Sequence, residues 1–516
     1  MTAAMHKRFG NHVPDILDCL AQLSSDEVPT PPKEARAMLD ILPHEVWSNP
    51  DYKWLDPGCK SGVFLREAAV RLLEGLSDWE PDFIKRRDHI YRNMLFGSAI
   101  TMMTGLISRR SLYCARDASS DLSVVKFDGP DGNLPYIPTQ HTYVKERCTI
   151  CGAPEGLERE GRENYAFSFI HGAYPTQELK DVKFDVIVGN PPYQIDSEGN
   201  SRTRPIYQLF VQKAISMDPR YLVMITPSRW FTGGLGLDQF RTEMLADRRL
   251  AKIVDNPKLF DCFPGVEIKG GVSYFLWDRE HSGDCEFSTR ISGEITSTLT
   301  RDLRHGKGVL IRSNAAEAVL NKIEAKGEPS IAPKLSSQKP FGFLSNFSDF
   351  HAKPTKDSVL LIKRDRMPAY VRPDQITHGH TMVAPIKVLT PEAGDGHGRI
   401  PAIVTGNPFV VPGNSVCTQT FLVAGTFGTE VEAQRFAAYL RTKFVRYLVH
   451  QRKVSQHTTS DTYLFVPDIP MDRDWNDAAL YKRYGLSAED IAVIESQIKP
   501  MGATDIIEPD TEDDEE

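Results

Sequence analysis

The run Phe184-Asp185-Val186-Ile187-Val188-Gly189-Asn190-Pro191-Pro192-Tyr193 limits the fold of this chain more than any other. Its apolar residues read as a buried strand. The prolines then end it, because each fixes φ and offers no N–H to a continuing ladder. The carbonyls of Asn190 and Pro191 are thereby placed at a strand end as rigid acceptors.

Around this strand, residues 51–280 alternate short apolar runs with helical patterns, the mark of strands joined by crossover helices in a parallel sheet. Strands are expected at 53–55, 184–188, 221–225, 252–254 and 271–277, and helices at 63–76 and 205–216. Another amphipathic segment, near 35–42, follows the proline-rich stretch Val28 to Pro32. Residues 108–172 interrupt the rhythm with Gly, Pro and polar residues and read as an insertion. Beyond about 300 the pattern turns irregular, with strand-like pieces at 359–362, 403–404 and 420–423. One helix is expected near 430–452, where Phe436, Leu440, Phe444 and Leu448 recur at every fourth position.

The first strand runs into Asp56-Pro57-Gly58-Cys59-Lys60-Ser61-Gly62-Val63-Phe64, a glycine-bearing turn that opens a helix. Backbone N–H groups and a helix N-terminus can approach a ligand closely there, at the carboxyl end of a strand. A dinucleotide, a nucleotide phosphate or S-adenosylmethionine would each suit such a turn. The phosphate-loop and G-x-G-x-x-G signatures of the first two are missing. At the second motif, an amino group on an aromatic ring presents two hydrogens, and the Asn190 side-chain oxygen with the Pro191 carbonyl can accept both. Tyr193 adds a face for stacking a planar base.

With Asp56 to Phe64 preceding Asn190-Pro191-Pro192-Tyr193, the chain resembles the amino-group DNA methyltransferases of restriction-modification systems, in the motif order of the gamma class. The resemblance extends to Thr30-Pro31 upstream, and to Asp255-Asn256 and Phe263 through Phe275 downstream. It implies a doubly wound α/β sheet that binds S-adenosylmethionine and methylates adenine N6 of an extruded base. It further implies that Asn190, Pro191, Pro192 and Tyr193 are catalytic. Thr30, Pro31, Asp56, Pro57, Gly58, Cys59, Ser61, Gly62, Phe64 and Asn190 would then line the cofactor. Two departures stand out: Lys60 occupies a position where Gly is common, and the segment 94–100 lacks the acidic residue that holds the ribose in many relatives. Asp128 is too weakly placed to replace it.

Cys148-Thr149-Ile150-Cys151-Gly152 has the spacing of a zinc knuckle, and a tetrahedral site needs four N or S ligands. The preferred set is Cys114, His141, Cys148 and Cys151, with His171 as the rival fourth ligand to Cys114. Buried thiols or a redox pair would explain the same spacing. Eight cysteines scattered through a chain whose start lacks an apolar signal segment suggest a cytoplasmic protein without a disulfide framework.

The net charge of −8 is concentrated in eight carboxylates of the last residues, so the body is near neutral and charge neither supports nor excludes DNA. No run approaches the ~20 apolar residues of a membrane span. Asp261 with Glu267-Ile268-Lys269 mimics a magnesium-nuclease pattern, but it falls between two strands of the sheet, so a cleaving partner would be another chain. Arg435, Arg441, Lys443, Arg446, Arg452 and Lys453 make the helix near 430–452 basic, a candidate for phosphate contact. A length of 516 residues allows about three structural units. The expected division is a lead-in over 1–50, a methyltransferase domain over 51–300, a mixed α+β target-recognition domain over 301–500 and a disordered acidic tail over 501–516. Expected partners are double-stranded DNA and a separate restriction endonuclease or helicase subunit. Two rival readings are a glutamine N5-methyltransferase acting on protein, which shares Asn-Pro-Pro-Tyr, and a catalytically silent DNA-specificity subunit.

Overall fold

The computed structural model describes residues 29–155, 166–195 and 204–502, apart from 259, 264–265, 267, 269, 306–307, 395–399 and 454–456. The acidic tail beyond 502 and the first 28 residues of the expected lead-in lie outside the described residues.

Eight strands form one sheet: β1 (Trp54–Cys59), β2 (Leu95–Ala99), β3 (Val186–Gly189), β4 (Tyr221–Pro227), β5 (Leu250–Asn256), β6 (Val272–Asp278), β7 (Cys285–Ile291) and β8 (Glu294–Arg301). Their order is β8-β7-β5-β6-β4-β3-β1-β2. The strands from β2 to β4 are parallel, as expected, but β6 runs antiparallel to both β4 and β5, so the sheet is mixed. A two-residue hairpin joins β7 to β8; its Ser292 and Gly293 both have positive φ, 53° and 89°, which matches the strand twist.

Alternation along the strands serves both faces of the sheet. Trp54, Leu95, Val186 and Val223 belong to one buried cluster with Met38 and Leu39 of the helix Pro32–Asp40 and Leu65 and Leu72 of the helix Val63–Gly75. Leu55, Phe96, Ile187 and Leu222 turn the other way, onto Phe210 of the helix Tyr207–Ser216 and Met244 of the helix Asp238–Ala246. Burying each such side chain contributes about 1.5–3 kcal/mol, so both faces must be covered, which is the doubly wound arrangement. The expected insertion begins later than 108. Helix Met102–Tyr113 is part of the packed sheet, and residues 133–135 extend the free edge of β2, whose Gly97 and Ala99 N–H groups donate to the Asn133 and Pro135 carbonyls at 2.9 and 3.0 Å.

This unit ends at Leu310, past the expected boundary, because Leu303 and Leu310 still pack in its core and the Leu310 N–H donates to the Phe231 carbonyl at 2.7 Å. The second unit, Ile311–Glu516, is mixed α+β. Its strands are β9 (Val359–Ile362), β10 (Pro368–Val371), β11 (Ile386–Pro391), β12 (Phe409–Val411), β13 (Ser415–Cys417) and β14 (Phe421–Phe427). They form two three-stranded sheets, ordered β10-β9-β13 and β12-β11-β14. The strand expected at 403–404 does not form, since Val404 sits at φ 76°, outside strand geometry. The long helix expected near 430–452 is broken into Glu430–Arg441 and Lys443–His450. Thr442 between them has ψ 148°, and its hydroxyl donates to the Tyr439 carbonyl at 2.7 Å while accepting from the Val445 N–H at 3.2 Å. It closes one helix and caps the next.

Candidate active site and metal centre

From β1 the chain moves outward to β2 and then returns past β1 to β3, so the strand order reverses between β1 and β3. Open α/β sheets bind ligands at such a point, outside the carboxyl ends of the strands. Both sequence motifs meet there. A Cβ built on Gly58 would lie 3.7 Å from the Asn190 carbonyl oxygen and the Pro191 Cα, so a larger side chain would fill the space between the motifs. One built on Gly189 would lie 3.1 Å from Asp56 Oδ1. The glycines let a buried carboxylate, a turn and the diproline share one corner.

Asp56 is 2 % exposed, and its Oδ1 accepts from the Gly58 N–H at 3.1 Å. Burial pushes its carboxyl up to about 7, against the opposing pull of Gly58, Cys59 and Lys60. Gly62 stands at φ 71° as the N-cap of the helix Val63–Gly75, and a Cβ there would come within 3.0 Å of the Ser108 carbonyl. Thr30 and Pro31 immediately precede the helix Pro32–Asp40, and the Thr30 hydroxyl accepts from Asn190 Nδ2 at 3.1 Å. The upstream segment thus touches the Asn190-Pro191-Pro192-Tyr193 motif directly.

Other expected residues are placed differently. Cys59 and Phe64 send their side chains into the core, where the Cys59 thiol donates to Ser108 Oγ at 3.2 Å. Any ligand contact from either must use its backbone. Pro57 is buried and Ser61 half-buried in the turn. Asn190, Pro191 and Pro192 are buried and Tyr193 is half-buried. The Tyr193 ring meets Tyr207 and Phe263 edge-on, at centroid distances of 6.5 and 6.3 Å, and the Lys60 ammonium lies 5.9 Å from its centre. Lys60 therefore puts a cation where the family commonly has Gly, beside both Asp56 and Tyr193. No carboxylate ends β2: Ile100 and Thr101 follow, and the Thr101 hydroxyl caps the helix Met102–Tyr113. Asp128 is exposed.

A buried ion pair escaped the sequence reading. Arg290 of β7 donates to both carboxylate oxygens of Glu34, at 2.5 and 3.1 Å, and to Asn256 Oδ1 at 3.2 Å. With both side chains 5 % exposed, it ties the helix that follows Thr30 to the far part of the sheet. The partners are 256 residues apart, so no local pattern announces them.

The metal cluster differs from the preferred set in one member. His141, Cys148, Cys151 and His171 bring ligand atoms within 4.8 Å of one another, with Cys148 Sγ 3.5 Å from His171 Nε2 and Cys151 Sγ 3.4 Å from His141 Nδ1. Neighbouring S and N ligands on tetrahedral zinc are separated by about 3.5 Å, given bonds of about 2.3 and 2.0 Å, so the spacing fits the ion. His171 Nδ1 donates to the Phe167 carbonyl at 2.9 Å, which turns Nε2 inward with its lone pair. The Ile150 N–H points at Cys148 Sγ at 3.5 Å, closing the knuckle turn. Cys114 is excluded. It is the exposed, left-handed C-cap (φ 60°) of the helix Met102–Tyr113, and the chain must still run along the edge of β2 before reaching the knuckle.

The basic residues of the broken helix are engaged within their own unit. Arg435 meets Asp474 at 3.1 Å, Lys443 meets Glu495 at 2.5 Å, and Arg441 donates to the Pro408 carbonyl at 3.0 Å. Arg446, 1 % exposed, donates to three carbonyls; Lys453 donates to the Val404 carbonyl, and Arg452 lies over the Phe465 ring. Each of these six bases therefore has a partner within the unit. In the nuclease-like pattern, Asp261 accepts from the Ser292 N–H at 2.6 Å, whereas Glu267 and Lys269 lie outside the described residues.

Among the described residues no helix is long and apolar enough to cross a membrane. The family model described as Eco57I restriction-modification methylase matches residues 93–263, which include Asn190-Pro191-Pro192-Tyr193. The chain is 35% identical over 339 residues to an uncharacterized adenine-specific methylase of Mycoplasma pneumoniae, covering 60% of this chain and 80% of that protein. Two solved structures are similar at lower identity. One is the type I restriction-modification methyltransferase subunit from Streptococcus thermophilus (14% identical, TM-score 0.35, 60% of this chain and 56% of that one). The other is a modification subunit of a putative type I restriction enzyme from Vibrio vulnificus (18%, 0.32, 54% and 53%). This chain thus spans only about half the length of those solved chains. With the match to the bacterial methylase extending over four-fifths of that protein's length, the chain belongs to the adenine-specific methylase family.

Proposed function

We propose that this protein transfers a methyl group from S-adenosylmethionine to N6 of an adenine extruded from duplex DNA, as the modification component of a restriction-modification system. The observation that carries this reading is the meeting of the glycine turn and the diproline at the β1/β3 corner, where a Cβ added to Gly58 would already touch Asn190 and Pro191. S-adenosylmethionine supplies the methyl as an electrophilic sulfonium group. Asp56, Gly58, Gly62 and the Thr30-Pro31 segment are the residues to hold it, and a buried carboxylate beside a glycine turn suits a cation.

The chain's own work is to orient the nucleophile. Adenine N6 is weakly nucleophilic because its lone pair is delocalised into the ring. Hydrogen bonds from its two hydrogens to Asn190 Oδ1 and the Pro191 carbonyl draw the nitrogen toward sp3 geometry and place those dipoles around the positive charge that develops. Tyr193 supports the base plane. The structural ion of the proposal is zinc, held by His141, Cys148, Cys151 and His171 in a closed site with no direct part in the chemistry. The second unit, Ile311–Glu516, reads the DNA sequence, and the partner implied is a separate restriction endonuclease or helicase subunit.

Expression in a methylation-deficient host followed by modification-sensitive sequencing tests the assignment. A recurring N6-methyladenine motif, absent with Asn190→Ala, is the expected result. No modified motif in an expressing strain, with S-adenosylmethionine binding intact, would transfer the assignment to the glutamine methyltransferase. Loss of that binding as well would favour the silent specificity subunit.

A further inference from the structure

The metal cluster is not remote from the catalytic strand end. Directly after Tyr193, the pair Gln194–Ile195 forms an antiparallel ladder with Arg204–Pro205. Ile195 and Leu209, the latter on the helix Tyr207–Ser216, pack with Ile170 and Tyr143 against the buried cluster of Cys148, Cys151 and Ala153. The Arg204 guanidinium lies over Gly152, leaving no room for a Cβ there. A second connection runs behind the site: Phe167, whose carbonyl holds the His171 ring, and Phe169 both pack on Phe210, at 5.7 and 5.8 Å. One turn earlier on that helix, Tyr207 meets Tyr193 edge-on.

We infer that the zinc knuckle is a brace for the ladder and helix that follow the catalytic tetrapeptide, so that metal occupancy governs engagement of the target base while leaving cofactor binding unchanged. The inference rests on the proposed zinc site. Its physical basis is size: Cys148, Cys151 and Ala153 form a very small apolar nucleus. Such a nucleus cannot order the knuckle that carries it, and a metal that joins four side chains supplies that order; the ordered knuckle then gives a second support to Ile195 and to the helix Tyr207–Ser216, both already seated on the sheet core. The cofactor residues Asp56, Gly58 and Gly62 sit on β1 and its turn, outside these contacts. Tyr193, by contrast, is followed directly by the ladder and meets Tyr207 of the helix edge-on.

The test uses the full chain purified without chelator. Zinc content is measured by mass spectrometry, S-adenosylmethionine affinity by calorimetry, and base extrusion by the fluorescence of 2-aminopurine at the target adenine. About one zinc per chain is expected. After chelation, cofactor affinity should hold within about twofold while extrusion and kcat fall ten- to a hundredfold, the scale of a roughly 1 Å misplacement. Ile195→Ala and Leu209→Ala, which leave the ligands intact, should keep the zinc, reproduce part of that loss, and be rescued by Ile195→Val and Leu209→Met. Absence of zinc from the active wild-type protein would overturn both the zinc site and the brace. Zinc present, with extrusion and kcat unchanged by chelation and by the contact variants, would overturn the brace and leave the zinc site standing. Equal loss of cofactor binding would overturn it too, by making the knuckle a general prop of the fold.

Discussion

The side-chain amide of Asn190 donates a 3.1 Å hydrogen bond to the hydroxyl of Thr30, a residue 160 positions earlier. An amide rotated by half a turn would exchange its oxygen for its nitrogen, and only the oxygen can accept from a base amino group. With Nδ2 held by Thr30, Oδ1 is the end of the amide that can accept from the base. Thr30→Val keeps the shape and removes the acceptor; a typical hydrogen bond contributes about 0.5–1.5 kcal/mol, so kcat should fall about two- to tenfold. Thr30→Ser should restore it. A Thr30→Val enzyme with wild-type kcat and a raised KM for cofactor alone would show that Thr30 serves the cofactor and not the amide.

The Glu34–Arg290 pair predicts a stability pattern rather than a rate. Removing one partner leaves a charge uncompensated in a site where each side chain is 5 % exposed, and such losses cost about 3–5 kcal/mol. Arg290→Met or Glu34→Leu alone should therefore lower the denaturation midpoint strongly, while the double variant recovers most of it. Equal, additive losses in a double-mutant cycle would show that the two side chains act independently.

Gly62 is the third test. It combines a left-handed φ of 71° with a 3.0 Å approach to the Ser108 carbonyl. Gly62→Ala incurs about 1–2 kcal/mol for the backbone alone, and the clash is with helix backbone that cannot swing away. Thermal unfolding should shift downward and cofactor affinity should drop with it. An alanine variant as stable as wild type would mean that the helix Met102–Tyr113 moves freely, contrary to its packing.

The parts of this architecture that were legible in the sequence are those written locally. The glycine turn, the strand ending in Asn190-Pro191-Pro192-Tyr193 and the Cys148/Cys151 spacing each depend on residues within one turn of chain, and β1, β3 and β4 form where the apolar runs stand. What escaped depends on distance or on competition. His171 replaces Cys114 because the path along the edge of β2 decides which side chains reach the knuckle. The fourfold repeat from Phe436 to Leu448 holds in burial on both helices, but the Thr442 hydroxyl competes with the helix and breaks it. Val404 is apolar yet left-handed, and its carbonyl serves Lys453, a requirement of the fold rather than of local propensity.

Asp56 gives the last prediction, in pH. Its carboxyl titrates near 7 when folded and near 3.8 as an unperturbed group, because burial disfavours the charge. Between those values the unfolded chain releases the proton while the folded one retains it, so folding stability falls as pH rises from about 4 to 7 and is level above that. At 1.36 kcal/mol per unit the full effect is on the order of 4 kcal/mol. Asp56→Asn, which can still accept from the Gly58 N–H, should match wild type near pH 4 and exceed it in Tm by a margin that grows up to pH 7. Binding of a cationic cofactor reverses the preference by favouring the carboxylate. Wild-type affinity should rise with pH and level off above about 7, with proton uptake by buffer visible in calorimetry run in buffers of different ionisation enthalpy. A flat pH profile for both the stability difference and the affinity would place the charge of Asp56 outside the cofactor's reach and leave the glycine turn alone to hold it.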